Sequence, residues 1–216
     1  MGQRHQFFVI ARVGKHYRCL AVVHRQSHHR QGVLSGCLQL INIFSDMSNR
    51  RALDMELALA VDFYKDQGPP TKIALSYEAY QPGAGVVRFP FISTCLVLGA
   101  STNREQPYVN LVHLEPEDQG FDQGDNNNGI TVIDITDIDN LRYCFACWHQ
   151  RSWYGVSDDG ESDEQTAHLP PLRKPWSGWE YLRYFGSPSD PPNKFETVLA
   201  DRLDKTSVIQ VSALAG

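Results

Sequence analysis

The alternation of apolar and polar positions divides the chain into strand-like runs near the N-terminus and in the middle, with helix-like runs between and after them. Residues 7–13 and 17–23 are rich in β-branched and aromatic side chains and are separated by Gly14-Lys15-His16. That is the spacing of a hairpin with a glycine available for a positive-φ turn. Leu34, Cys37, Leu38, Ile41 and Phe44 then recur at intervals of three and four, which predicts a helix over about residues 31–45. A second helix follows, with Asn49 placed to cap it. In it Leu53, Leu57, Ala60, Val61 and Tyr64 form one stripe and Met55, Leu59 and Phe63 another. Gly68-Pro69-Pro70 ends it. Apolar residues on both faces predict a helix lying between the sheet and something else, such as a second protomer.

Beyond residue 70 the pattern is broken by Pro82-Gly83, Gly85 and Pro107, leaving short β-prone runs at residues 73–77, 86–91 and 108–114. Residues 89–98 fit a buried helix equally well, because periodicity does not separate the two over so short a run. Residues 120–129 form a polar Asn- and Gly-rich loop that leads into a strand at residues 130–135. A further strand is predicted at residues 141–148, and the hairpin-length link 136–140 predicts antiparallel pairing of the two. Residues 155–175 are acidic, then Pro-containing, and carry no periodicity, so they read as an exposed loop. Ser177-Gly178-Trp179-Glu180 has the capping-box pattern ahead of Trp179, Leu182 and Phe185. After Pro188, Pro191 and Pro192 a last helix is predicted, with Phe195, Val198, Leu199 and Leu203 on one face. The expected fold is α+β: a mainly antiparallel sheet, two central helices and a C-terminal aromatic and helical arm. Residues 1–154 form the core domain, and residues 155–216 an acidic loop and an arm that docks on that core or on a neighbouring protomer.

A chain of 216 residues with 42% hydrophobic positions can bury a full core without crosslinks. The longest nearly apolar stretch, residues 89–100, falls well short of the ~20 residues needed to cross a bilayer. No membrane association is expected. Arg12 interrupts the first apolar run too early for a secretory signal, and five cysteines in a chain of this size suit a reducing compartment, so a cytoplasmic location is expected. The net charge of −5 argues against a general nucleic-acid binder. That average hides an asymmetry: residues 1–45 carry six cationic residues, five of the eight histidines and no acid, whereas residues 115–140 carry eight acids and no Lys or Arg. Opposite potentials of this kind steer and register contacts within a fold or across an interface.

The opening Met1-Gly2-Gln3-Arg4-His5-Gln6 with residues 8–12, the segment Gly124-Asp125-Asn126-Asn127 running on through residues 129–134, and Arg142-Tyr143-Cys144-Phe145 together resemble blocks of a group of uncharacterised fungal proteins, over about a quarter of the chain. The plan of the N-terminal part is also similar to small bacterial and phage proteins that begin Met-Gly-Thr-Arg-Asn. The resemblance implies a source and a fold plan, and no reaction or functional residue comes with it.

Several clusters carry candidate chemistry. A hairpin followed by a helix is how N-terminal-nucleophile hydrolases begin, but removal of Met1 exposes Gly2, which has no nucleophilic side chain; a cut before Ser27, Ser35 or Cys37 would be needed. Gln6 stands where a myristoylation signal needs Ser or Thr. His24 and His28 have zinc spacing only on a helix, and Arg25 and Arg30 beside His24, His28 and His29 point instead to a polar, anion- or partner-contacting loop that Arg4 joins. Cys144 and Cys147 form a single CxxC with no second pair and read as core thiols. The 125–129 turn lacks the carboxylates of an EF-hand at its ends. No metal and no cofactor is therefore expected, and no catalytic residue is assigned. Six of the chain's aromatic residues fall between Lys174 and Phe195, interleaved with Arg173, Lys174 and Arg183, the composition of an interface hot spot. The expectation is a binding or self-assembling protein without catalytic activity, a homo-oligomer with Trp176, Trp179 and Phe185 in or beside the contact. The alternative is a hydrolase-like enzyme using the His-rich loop at residues 24–30.

Overall fold

A computed structural model describes residues 4–26, 30–68, 87–101, 112–115, 129–146, 175–185 and 189–209, with the backbone alone at Arg4, Gln26, Val112, His113 and Glu115. Two strands, β1 (Arg4–Val13) and β2 (His16–Gln26), form the N-terminal hairpin. Val13 pairs with His16, so the turn is Gly14-Lys15, with Gly14 at φ +61°. Both strands run further than the apolar alternation predicts, and the extension draws Arg4, His5 and Gln6 into β1 and His24, Arg25 and Gln26 into β2. At Val9 and Ile10 the register slips, since Val9 faces Ala21 while Ile10 faces Cys19, leaving Leu20 as the extra residue of a bulge. The bulge lets both Leu20 and Ala21 join the helix-side core and turns Arg18 to the same side.

The remaining strands are β3 (Val112–Glu115), β4 (Ile130–Asp134), β5 (Arg142–Ala146) and β6 (Ser207–Val208), and the sheet order is β3-β2-β1-β4-β5-β6. The sheet is mixed, not mainly antiparallel. β1 runs parallel to β4 and β5 parallel to β6, while β1–β2, β2–β3 and β4–β5 are antiparallel. The cause is the long excursion through the helices, which returns the chain beside β1 in the direction it left, as crossover connections do.

The helices α1 (Arg30–Ser45), α2 (Arg50–Tyr64) and α3 (Pro90–Ala100) pack with the sheet, so the expected pair of central helices is a trio. Residues 87–91 do not form the strand predicted there. Pro90 instead opens α3, where its missing N–H costs nothing, and the next two donors are satisfied by a side chain of α2: Glu56 accepts from Phe91 N at 2.7 Å and from Ile92 N at 2.8 Å. Glu56 is itself buried. Asn49 does not cap α2; its amide donates to Ile43 O, and Asp46 caps the 3-10 turn Met47–Asn49 through Ser48 N. At the far end Arg18 donates to Gln67 O and Gly68 O and lies over the Tyr64 ring, so a cation sits at the negative end of the helix dipole. α1 and α3 approach closely because residue 99 is glycine: a Cβ there would come within 2.4 Å of the Leu40 side chain.

The arm folds onto this core. Trp176 exchanges two backbone hydrogen bonds with Phe145, α4 (Gly178–Phe185) starts against the Tyr143 hydroxyl, which accepts from Gly178 N, and α5 (Lys194–Leu203) packs on α1. Both helices have reciprocal caps, Ser177 with Glu180 and Asn193 with Glu196. In α5 the buried residues are Glu196, Leu199, Ala200 and Leu203; Phe195 and Val198 are exposed, against the predicted stripe. Apolar residues on both faces of the sheet are buried, those of the second face including Phe8, Ile10, Val22, Ile130, Val132 and Cys144.

Cys37, Cys95 and Cys144 are buried and reduced. Burial pushes the Cys144 thiol up to about 12, with nearby Asp134 adding to it, and the Cys95 thiol up to about 11, with Glu56 adding to it; burial and Cys144 hold Cys37 well above its ordinary value. Between about pH 9 and 11 the unfolded chain releases thiol protons that the folded chain keeps, so stability falls as pH rises through that window. Urea midpoints measured at pH 8 and pH 10 should show the drop, and Ellman's reagent should react slowly with these three thiols until the protein unfolds.

Candidate interaction surface

Of the predicted basic cluster, the described side chains of His24, Arg25 and Arg30 do not share one surface. Because β2 continues through residue 26, His24 and Arg25 are consecutive strand residues and leave opposite faces of the sheet. Both are buried, and burial lowers the Arg25 guanidinium to about 10. Arg30, the first residue of α1, turns to the arm: its guanidinium donates to Asp190 O and Asp190 Oδ2 at 2.9 Å each and to Phe185 O at 3.3 Å, with Glu196 at 3.4 Å. For Arg30 the answering acids are in the arm, while β1 of the basic region pairs with β4 of the acidic central segment. The Arg4 backbone pairs with Gln26. The Arg4 side chain, His28 and His29 lie outside the described residues, as do Cys147, the 120–128 turn and the acidic loop.

One histidine that the sequence did not single out has a hydroxyl partner. His5 Nε2 is hydrogen-bonded to Thr131 Oγ1 at 2.7 Å, and its ring lies edge-on to Phe7 and Tyr181. A base against a hydroxyl is the arrangement that activates a nucleophile. Here both residues are 0% exposed, so no substrate reaches them in this conformation. In place, the pair satisfies two buried polar groups where β1 and β4 run parallel.

The three arm aromatics expected at an interface are half-buried against their own chain. Trp176 stacks on Tyr184 at 4.4 Å between ring centroids, Phe185 contacts Tyr181 and Tyr184, and Trp179 Nε1 donates to Asp201 at 3.0 Å.

Among the described residues, α2 carries an exposed apolar stripe. Its inner side buries Leu53, Glu56 and Ala60, while Met55, Leu59 and Phe63 remain 60%, 55% and 44% exposed. These three recur every fourth residue and therefore form one continuous stripe along a helix about 22 Å long. The Arg88 guanidinium lies over part of the Phe63 ring, 4.8 Å from its centroid. Charges flank the stripe: Arg51 stands one turn before Met55, and Asp62 and Asp66 stand at the other end. Asp62 pairs with Lys65 at 2.6 Å and Arg50 pairs with Asp54 and Asp139. Among the described residues no group of three or more His, Cys, Asp or Glu side chains is placed to hold a metal ion, and no helix is long and apolar enough to cross a membrane. The chain matches no family model, no curated protein and no solved structure.

Proposed function

We propose that the protein works by self-association, as a binding module of the cytoplasm, and that its surface rather than a reactive centre does the work. The observation that carries this is the two-sided α2 helix: one side, with Leu53, Glu56 and Ala60, is in the core, and a stripe of Met55, Leu59 and Phe63 is held out to solvent by a well-anchored helix. Met and Phe are among the residues favoured at interfaces, Met because its unbranched side chain adapts to a partner. Buried or half-buried free thiols support a reducing location, and the net charge of −5 supports a protein partner over a nucleic acid. Light scattering of the purified protein at micromolar concentration should give a multiple of 24.4 kDa. A mass of one chain under those conditions overturns the reading.

A further inference from the structure

We infer that α2 pairs with α2 of a second copy, antiparallel and about a two-fold axis near Leu59. The inference rests on the self-association reading and adds the surface and its geometry. In such a contact the same patch meets itself, so each residue must be complementary to one at the opposite end of the helix. The stripe satisfies that condition. With Leu59 on the axis against its own counterpart, Met55 of one copy faces Phe63 of the other, and Arg51 comes opposite Gln67, one residue from Asp66 and within reach of its carboxylate. Lys65 keeps helical backbone angles, which leaves Asp66 in line with the row that starts at Arg51. Arg51 and Asp66 are both exposed, and neither makes an ion pair among the described residues. The arrangement supplies each of them with an opposite charge, twice per dimer. A parallel pairing would instead bring Arg51 against Arg51 and Asp66 against Asp66, and it would align the two helix dipoles unfavourably. The apolar centre and charged ends thus select one partner, a second copy of this chain, and one orientation.

Charge reversal tests the register. Arg51→Glu alone and Asp66→Arg alone should each weaken the dimer about 10-fold or more, because two attractions become two repulsions. The combined Arg51→Glu, Asp66→Arg variant should recover affinity to within about threefold. Leu59→Arg, at an exposed position, should leave the melting temperature of the folded chain within a few degrees while abolishing the dimer by sedimentation. An oligomer whose dissociation constant is unchanged in all four variants overturns the α2 contact while leaving self-association standing. A wild-type monomer overturns both, and α2 then presents its stripe to a protein of different sequence. Single variants that weaken the dimer without recovery in the combined variant overturn the antiparallel register.

Discussion

Replacing Arg30 with alanine is expected to destabilise the protein by about 3–5 kcal/mol, the range for removing one partner of a buried ion pair. Arg30 and Glu196 have side chains 7% and 3% exposed. The guanidinium is also the donor that satisfies the carbonyls of Phe185 and Asp190 at the α4–α5 connection. Glu196 has a second duty, since its other carboxylate oxygen accepts from Asn193 N in the capping box of α5. Truncating Arg30 leaves that carboxylate buried and its charge unanswered, so the loss exceeds that of an exposed pair. Lysine should not rescue it, because one ammonium cannot supply the fork that reaches Asp190, Phe185 and Glu196 together. Urea denaturation followed by tryptophan fluorescence, to which Trp176 and Trp179 of the arm contribute, reads the effect. The Arg30→Ala, Glu196→Gln double variant should lose clearly less than the sum of the two single losses, as coupled sites do.

What the chain makes legible is what is local in it. The Gly14 turn, the 34–44 stripe of α1 and the Ser177 capping box each depend on residues within a few positions of one another, and each forms as read. The pieces that differ depend on distant partners. β1 finds β4 across more than 120 residues, and no alternation within either strand tells parallel from antiparallel pairing. His24 and Arg25 read as a loop because polar residues end the apolar run, yet β3 and β1 on either side hold them in the sheet. Phe195 reads as core on spacing alone, while the position α5 turns to α1 is that of Glu196, whose charge has Arg30 waiting for it. The α2 surface was legible in part: the second apolar stripe is visible in the sequence, and its exposure is what the structure adds.

The helix that presents that stripe is held by a residue with no sequence signal of its own, and its removal should be nearly as damaging as that of Arg30. Glu56→Ala is expected to cost about 3 kcal/mol. The carboxylate stands where the first turn of α3 leaves two donors without intrahelical partners, and Ile92 beside it is fully buried. A buried N–H stripped of its acceptor costs about 1–3 kcal/mol, with the larger figures for charged partners. Water can replace the acceptor more easily at Phe91, which is half-buried, so the two losses should not both be complete. Glu56→Gln keeps one carbonyl oxygen in reach of the turn and should lose less than half as much as alanine. Hydrogen exchange separates this account from a loss of bulk: the amides of Phe91 and Ile92 should speed up in Glu56→Ala well beyond the change at Leu96 and Ala100 in the same helix. Equal acceleration along all of α3 would mean that Glu56 serves α3 only through packing.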